Sequence, residues 1–344
     1  MVALVRAAAL TDFSEVMREV GGNPEDALRR AGLRPALVRE RDQLLDATTT
    51  ARLLEDSAQV TRCETLGLRM ARARQLSNFG ALSLLLQHQA TLRIALQTLI
   101  AHVHLLNEAL MIELEDAGDL VILREDFLSD SPHRQSIELA VGVLFRMCEA
   151  LLLPGWRPQS VSFQHAAPQD LSVHRQHFRC PVNFNANLSG IVCRASDLDE
   201  PNPMADPVLA RYAQTIVETS GPGRQASMAQ QVRRAIYLTL PSGGATSKTV
   251  AQGLGLSTRT LQRELMAEAT TFSDLLEDIR ANLARRYVAD PRYRIAQIAE
   301  MLGYGSHSTF TRWFTSTFGA SPHVWRARAA GTQPAAISAP SAVP

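Results

Sequence analysis

Val250-Ala251-Gln252-Gly253-Leu254-Gly255-Leu256-Ser257 is echoed 48 residues later by Ile298-Ala299-Glu300-Met301-Leu302-Gly303-Tyr304-Gly305-Ser306. In both stretches an alanine is followed four residues on by a glycine, with apolar residues around each. This is the pattern of a helix, a tight turn and a second helix. The small alanine lets two helices cross closely, and the glycine takes the positive φ that the turn requires. Two such units in one chain suggest two helices presented to one face of DNA.

Around this repeat the spacing predicts helices over 228–240, 248–254, 258–268, 271–289, 295–301 and 308–318. Ser247 and Ser257 are read as N-caps. In the first unit Leu256, Leu261 and Leu265 are expected to face a core, with Thr258, Arg259, Gln262 and Arg263 opposite. In the second, Phe310, Phe314 and Phe318 are expected to point inward, while His307, Ser308, Thr311 and Arg312 face out. The long helix, with Leu275, Ile279, Leu283 and Tyr287 on one stripe, stops before Asp290-Pro291. It spans about 28 Å, enough to hold two recognition helices near one DNA turn, about 34 Å, apart.

Charge is divided along the chain. The net charge of +1 over 344 residues hides 14 basic and 7 acidic residues in 224–330, against 21 basic and 27 acidic before it. A basic module beside an acidic partner is the footprint of nucleic-acid binding confined to one end. Lys248 is the single lysine. The remaining basic residues are arginine, which with the high alanine content suggests a GC-rich genome. The apolar fraction of 46% with 6% aromatics fits an ordinary soluble, helix-rich protein. No targeting signal or membrane span is read in the chain. Cys63, Cys148, Cys180 and Cys193 are scattered and expected to be reduced thiols.

The region before this module reads as α+β. Phe13, Val16, Met17 and Val20 mark a helix ended by Gly21-Gly22, and Pro24-Glu25-Asp26 opens the next. Helices are expected over 51–60, 92–110, 136–153 and 207–219. A β-hairpin is expected over 111–123 around Gly118-Asp119, a strand over 160–165, and a second hairpin from 182–185 and 188–193. The fold class is therefore an α+β N-terminal sensor-like domain followed by an all-α domain with two helix-turn-helix units. The expected bounds are 1–219 for the first domain, 220–227 for a linker, 228–330 for the second domain and 331–344 for a disordered tail.

The run Arg294-x3-Ile298-Ala299-x2-Leu302-Gly303-Tyr304-x5-Phe310-x2-Trp313-Phe314-x3-Phe318-Gly319-x-Ser321-Pro322-x2-Trp325-Arg326 resembles the signature of the AraC/XylS family of bacterial transcription regulators. Leu261-Gln262-Arg263 and Leu265 match it in the first unit. The likeness covers about 100 residues. It implies seven helices, the third and sixth entering adjacent major-groove segments. By position, the base-reading role falls on Arg259, Gln262 and Arg263 in one helix and on His307, Ser308, Thr311 and Arg312 in the other. Ser257 and Ser306 would stand at phosphates. The turn before Phe310 is one residue longer than that before Leu261, as is usual in the family.

Less specifically, Leu66-Gly67-Leu68-Arg69, Phe79-Gly80, Thr91-Leu92-x2-Ala95-Leu96 and Phe178-x-Cys180-Pro181-Val182-x-Phe184 resemble the arabinose-sensor-type domain of ornithine- and virulence-type regulators. That likeness implies a small-molecule effector of unknown identity and a homodimer. Candidate pocket residues are Phe79, His102, His104, His133 and Arg134. His102 and His104, two apart on a helix, should point in different directions. The family implies double-stranded DNA and RNA polymerase as partners, an activator in the cytoplasm, and no membrane, cofactor or metal. The alternative is an effector-independent DNA-binding protein whose N-terminal domain only mediates dimerisation.

Enzyme motifs do not emerge. Gly253-Leu254-Gly255 lacks the third glycine and preceding strand of a dinucleotide loop, and no P-loop or G-x-S-x-G is present. His174-x2-His177-x2-Cys180 fits no standard metal spacing. The repair enzymes that carry a related DNA module need four clustered cysteines near the N-terminus, where this chain has only Cys63.

Overall fold

The computed structural model describes residues 3–38, 40–128, 133–152, 155–220, 227–240 and 244–329. The chain divides into two compact units, Met1–Gln225 and Ala226–Pro344. Apart from its end residues, the expected linker lies outside the described residues, as does the expected tail.

The N-terminal unit runs β1 (Leu4–Arg6), α1 (Phe13–Glu19), α2 (Pro24–Arg30), β2 (Leu44–Asp46), α3 (Ala47–Thr61), α4 (Leu66–Arg72), α5 (Ala81–Gln87), α6 (Leu92–His102), β3 (Leu110–Ala117), β4 (Leu120–Phe127), α7 (Arg134–Leu151), β5 (Ser160–Ser162), α8 (Ser172–Phe178), β6 (Val182–Asn183), β7 (Ser189–Arg194), α9 (Ala195–Asp199) and α10 (Pro207–Ser220). Local chemistry starts these helices. Asn23 Oδ1 accepts from the Glu25 and Asp26 amides with Pro24 at the first helical position, and Asp46 Oδ1 accepts from Thr49. β3 and β4 pair antiparallel across the two-residue turn Gly118-Asp119, where Gly118 has φ +72°. The five-stranded sheet has the order β3-β4-β7-β5-β6, and α7 packs against β4 and β7. On its other side α7 meets α4 so closely that a Cβ on Gly67 would lie 2.0 Å from the Gln135 carbonyl oxygen. Only glycine fits there.

Three sequence expectations are corrected. The helix foreseen over 92–110 ends at His102, continues as a short 3-10 turn over Val103–Leu105, and gives way to β3. Asn107 turns the chain, its Oδ1 accepting from the Ala109 amide at 2.9 Å. The second hairpin does not form: β5 lies between β7 and β6, antiparallel to the first and parallel to the second. The small sheet of β1 and β2 lies outside the helices foreseen at 13–20, from 24 and over 51–60, where no strand was expected.

The C-terminal unit has seven helices among the described residues: α11 (Met228–Thr239), α12 (Ser247–Gly253), α13 (Thr258–Ala267), α14 (Phe272–Ala289), α15 (Ile295–Met301), α16 (His307–Phe318) and α17 (Pro322–Ala329). Its core joins Val232, Ile236, Leu261, Leu265, Leu275, Ile279, Leu283, Ile298, Phe310 and Phe314, all buried. Tyr287, assigned to the same stripe of α14, is half-buried. The half around α13 is aliphatic. The half around α16 is aromatic, with Phe314, Phe318 and Trp325 rings 4.5 to 5.3 Å apart in sequence. Arg326 of α17 donates to the carbonyls of Val288 and Tyr293, both at 2.8 Å, and so secures the end of α14. Thr246, not Ser247, caps α12, its Oγ1 accepting from the Thr249 amide at 3.1 Å.

Candidate functional sites

The two helix-turn-helix units are built alike at the level of single atoms. Gly255 and Gly303 both have φ +71°. The Leu256 amide donates to Ala251 O and the Tyr304 amide to Ala299 O, each at 2.8 Å. This is the six-to-one bond of a glycine-terminated helix. Ser257 Oγ then accepts from the Thr260 amide at 3.1 Å, and Ser306 Oγ from the Thr309 amide at 3.2 Å. Each serine hydroxyl also meets its threonine hydroxyl, at 2.8 and 2.9 Å. Ser257 and Ser306 are therefore N-caps first, and their oxygens are engaged by their own helices. The extra residue in the second turn, Gly305, lies before the cap, so α13 and α16 stay in phase from the cap onward. Leu261 and Phe310 occupy equivalent inward positions, as do Leu265 and Phe314, and all four are buried.

The same phasing aligns the outward faces. Arg259, Gln262 and Arg263 are exposed on α13, and His307, Ser308 and Arg312 on α16; Thr258 is half-buried. Arg263 and Arg312 are equivalent positions. Arg263 Nη2 rests on Glu264 Oε1 at 2.8 Å, but three quarters of its side chain is exposed, so this pair adds little to stability and yields readily. Thr311, the counterpart of Gln262, is half-buried, and its Oγ1 is buried without a hydrogen-bond partner among the described residues. Two arginines and a carboxylate support the site in roles the sequence reading did not assign, although Arg326 stood in the quoted run. Arg280 donates from Nε to Leu302 O at 3.0 Å and lies over the Tyr304 ring, fixing the second turn. Arg326 acts at the end of α14. Glu268, just after α13, accepts from the Met228 and Ala229 amides at 2.7 and 2.9 Å and caps α11. Their roles are not legible locally, because each reaches an element distant in the chain.

In the N-terminal unit a cavity of about 160 Å³ lies between β3–β4 and the helices α3, α6 and α7. Of the five pocket candidates, Phe79 and His133 line it; His102, His104 and Arg134 do not. The His102 and His104 rings stack, centroids 6.5 Å apart and 21° between planes, rather than diverging. The backbone leaves α-helical geometry after His102, where α6 gives way to the 3-10 turn. Arg134 belongs to a buried cluster, with its Nε 3.6 Å from Glu138 Oε1. Glu138 is wholly buried, and the same oxygen lies 3.3 Å from His165 Nε2 and 3.3 Å from His174 Nε2. Burial holds the His165 pKa below its usual value. His177 instead faces Gly142 O at 3.2 Å, and burial takes its pKa to about 4. The spaced trio His174, His177 and Cys180 thus does not converge. Among the described residues no group of three such side chains is arranged to hold a metal ion.

The cavity wall contains a residue the sequence reading passed over. Val121, Leu123, Glu125 and Phe127 share one face of β4 by strand alternation, and the first two are fully buried. Glu125 therefore stands where an apolar side chain is expected. It is 2% exposed, and burial pushes its pKa up to about 8. A break in the apolar alternation was the available signal. Nearby, Arg74 is buried and donates to the carbonyls of Ala8, Ala9 and Thr11 at 2.6, 2.7 and 2.9 Å. Among the described residues no helix is long and apolar enough to cross a membrane.

Comparisons with known proteins agree with this architecture. The family described as "Arabinose-binding domain of AraC transcription regulator, N-term" matches residues 21–202, and a helix-turn-helix domain family matches 250–328. The chain is 29% identical over 329 residues to the HTH-type transcriptional regulator VirS of Mycobacterium tuberculosis, covering 94% of this chain and 97% of that one. It is 22% identical over 330 residues to the ornithine utilization regulator of Pseudomonas aeruginosa, covering 95% and 96%. Over 96 residues it is 35% identical to the transcriptional activator NphR of a Rhodococcus species, 28% of this chain and 29% of that one. The matched domains and relatives are those of regulators rather than enzymes. The chain belongs to the AraC family: it is a DNA-binding transcription regulator in which an arabinose-binding-type domain precedes a double helix-turn-helix domain.

Proposed function

We propose that the protein is an effector-controlled transcriptional activator. A small molecule enters the N-terminal domain, shifts the balance between conformations of the regulator, and alters how α13 and α16 engage successive major grooves. The observation that carries this reading is the atom-by-atom repetition of the two turns, which leaves Arg259, Gln262 and Arg263 on one helix and His307, Ser308 and Arg312 on the other exposed in the same phase. Arginine pairs bidentately with guanine and glutamine with adenine, each worth about 1–3 kcal/mol of discrimination. Thr311 is assigned to the same face through its methyl group, which suits a thymine methyl. Ser257 and Ser306 fix the helix starts, whose amides suit phosphate.

RNA polymerase is the further partner of an activator acting in the cytoplasm, and the name of the Rhodococcus relative supports that sign of regulation. A homodimer is supported by α10, which leaves Val208, Leu209, Tyr212 and Ile216 exposed, a patch of the kind that marks protein contacts.

Selection of fragments from sheared genomic DNA by the purified protein tests the reading. It should return a few sites sharing a motif of about 15–20 base pairs, two major-groove segments long. Arg263→Ala should then weaken binding to those sites much more than to random DNA. Equal loss on all sequences would reduce Arg263 to a phosphate contact, and capture without a motif would overturn sequence-specific binding by the free protein.

A further inference from the structure

We propose that the cavity of the N-terminal domain takes a small, largely apolar monoamine, whose ammonium group pairs with the Glu125 carboxylate while its hydrocarbon body fills the space beside Phe79, Phe127, Leu54, Leu99, Val103 and Leu144. The proposal rests on the reading of this domain as the effector domain and names the chemistry of what enters it.

Shape comes first. An engineered apolar cavity of about 150 Å³ admits benzene, so about 160 Å³ suits one ring or a short alkyl chain. Chemistry comes second. Ile112 is paired with Glu125 in the sheet, and both line the cavity with Leu110 and Phe127. The carboxyl group therefore lies on the face of the hairpin that bounds the cavity. Its Oε2 is buried without a hydrogen-bond partner among the described residues. Buried polar groups in native proteins are satisfied with few exceptions, and those exceptions ask for a reason. A ligand cation supplies one.

The other charged groups argue for a cation and against an acid. Arg74 spends three of its four Nη hydrogens on carbonyls, and Arg6 donates to Phe79 O and pairs with Asp42. Each guanidinium is thus already committed to acceptors, so an arriving carboxylate would have to compete for it, while among the described residues Arg74 Nε keeps a free hydrogen. His133 lines the cavity, and the Cys148 thiol is close enough for the Glu125 charge to add to the upward push of its own burial. An amino acid would bring a carboxylate that has to displace these existing bonds. A monoamine would not. Glu125 is raised to about 8 by burial alone, so near pH 7 it carries a proton in the ligand-free protein. An incoming ammonium returns it to the ionised form, and that proton passes to solvent.

Calorimetry on the full chain at pH 7 tests this with benzylamine, benzyl alcohol and benzoate, in two buffers of different ionisation heat. Benzylamine should bind roughly tenfold or more tighter than the alcohol, a difference of one log unit in Kd, and release close to one proton. Benzoate should not bind. At pH 9 the proton release should vanish in the unaltered protein. Glu125→Gln should equalise amine and alcohol and abolish proton release, with retained alcohol binding certifying the fold. An amine no tighter than the alcohol, or an amine preference that survives E125Q, overturns the proposal. The effector reading separates cleanly from it. If the amine binds as described but leaves DNA affinity unchanged, the ligand assignment stands and effector control fails. If no probe enters while small molecules extracted from the host still shift DNA affinity, effector control stands and this site is wrong.

Discussion

The two units handle polar chemistry in opposite ways. Among the described residues, the polar side chains buried as a whole all lie in the N-terminal unit, Arg74, Glu125, Glu138, His174 and His177 among them. The core of the C-terminal unit is apolar, and its polar residues are set on helix surfaces by caps and turns. A unit that must read a rigid, charged polymer gains from displaying donors on a stiff apolar frame. A unit that must recognise a small molecule has to carry polar groups inward, where each is costly unless partnered.

The comparison is sharpened most by removing an inward group. Arg74→Met would orphan three carbonyls, each costing about 1–3 kcal/mol. A loss of at least ~3 kcal/mol is expected, confined to the unit reported by Trp156. Urea titration of single-tryptophan variants checks it: the Trp156 transition should move and those of Trp313 and Trp325 should not. A common shift would mean that the two units do not unfold separately.

The next effect, small over any one pH unit, is a pH slope. The folded Glu125 holds its proton up to about 8, whereas an ordinary glutamate loses it near 4.5. Between those values the native state binds the extra proton, so its contribution to stability is complete below about 4.5 and declines as pH rises to about 8. Glu125→Gln should therefore gain on the parent across that window, by at most ~1.4 kcal/mol per pH unit. The gap should close at the acid end, with no such slope in the C-terminal unit. Thermal melts of both proteins from pH 5 to 8 would reveal it, and parallel curves would mean that Glu125 is hydrated.

The smallest effects test equality within the DNA-binding unit. Ser257→Ala and Ser306→Ala each remove a cap of the same geometry, so each should cost about 1 kcal/mol. Chemical denaturation of the two variants checks the match. A marked inequality would show that the aliphatic and aromatic halves differ in how far their helix ends are held by packing.

The same division explains what could be read from the sequence. The turns, caps and inward faces of α12–α13 and α15–α16 are local, and Ala251, Gly255, Ser257 and their counterparts announce them. The face from Leu92 to Leu110 misled because its apolar spacing continues past His102, while the backbone follows the turn at Asn107. Strand 182–183 was assigned the wrong partner because periodicity marks a strand and not its neighbour. The meeting of Glu138 with His165 and His174 brings together three distant stretches of chain, and nothing local encodes it.

α14 has one more consequence. It joins α13 to α15 as an unbroken 18-residue helix, so it works as a screw thread. Adding or deleting one residue within it would advance everything downstream by about 1.5 Å and turn it by about 100°. The second recognition helix would then face away from the groove that the first one occupies. The operators of such a regulator can diverge base by base as the exposed side chains change, but their pitch is locked to the length of one helix.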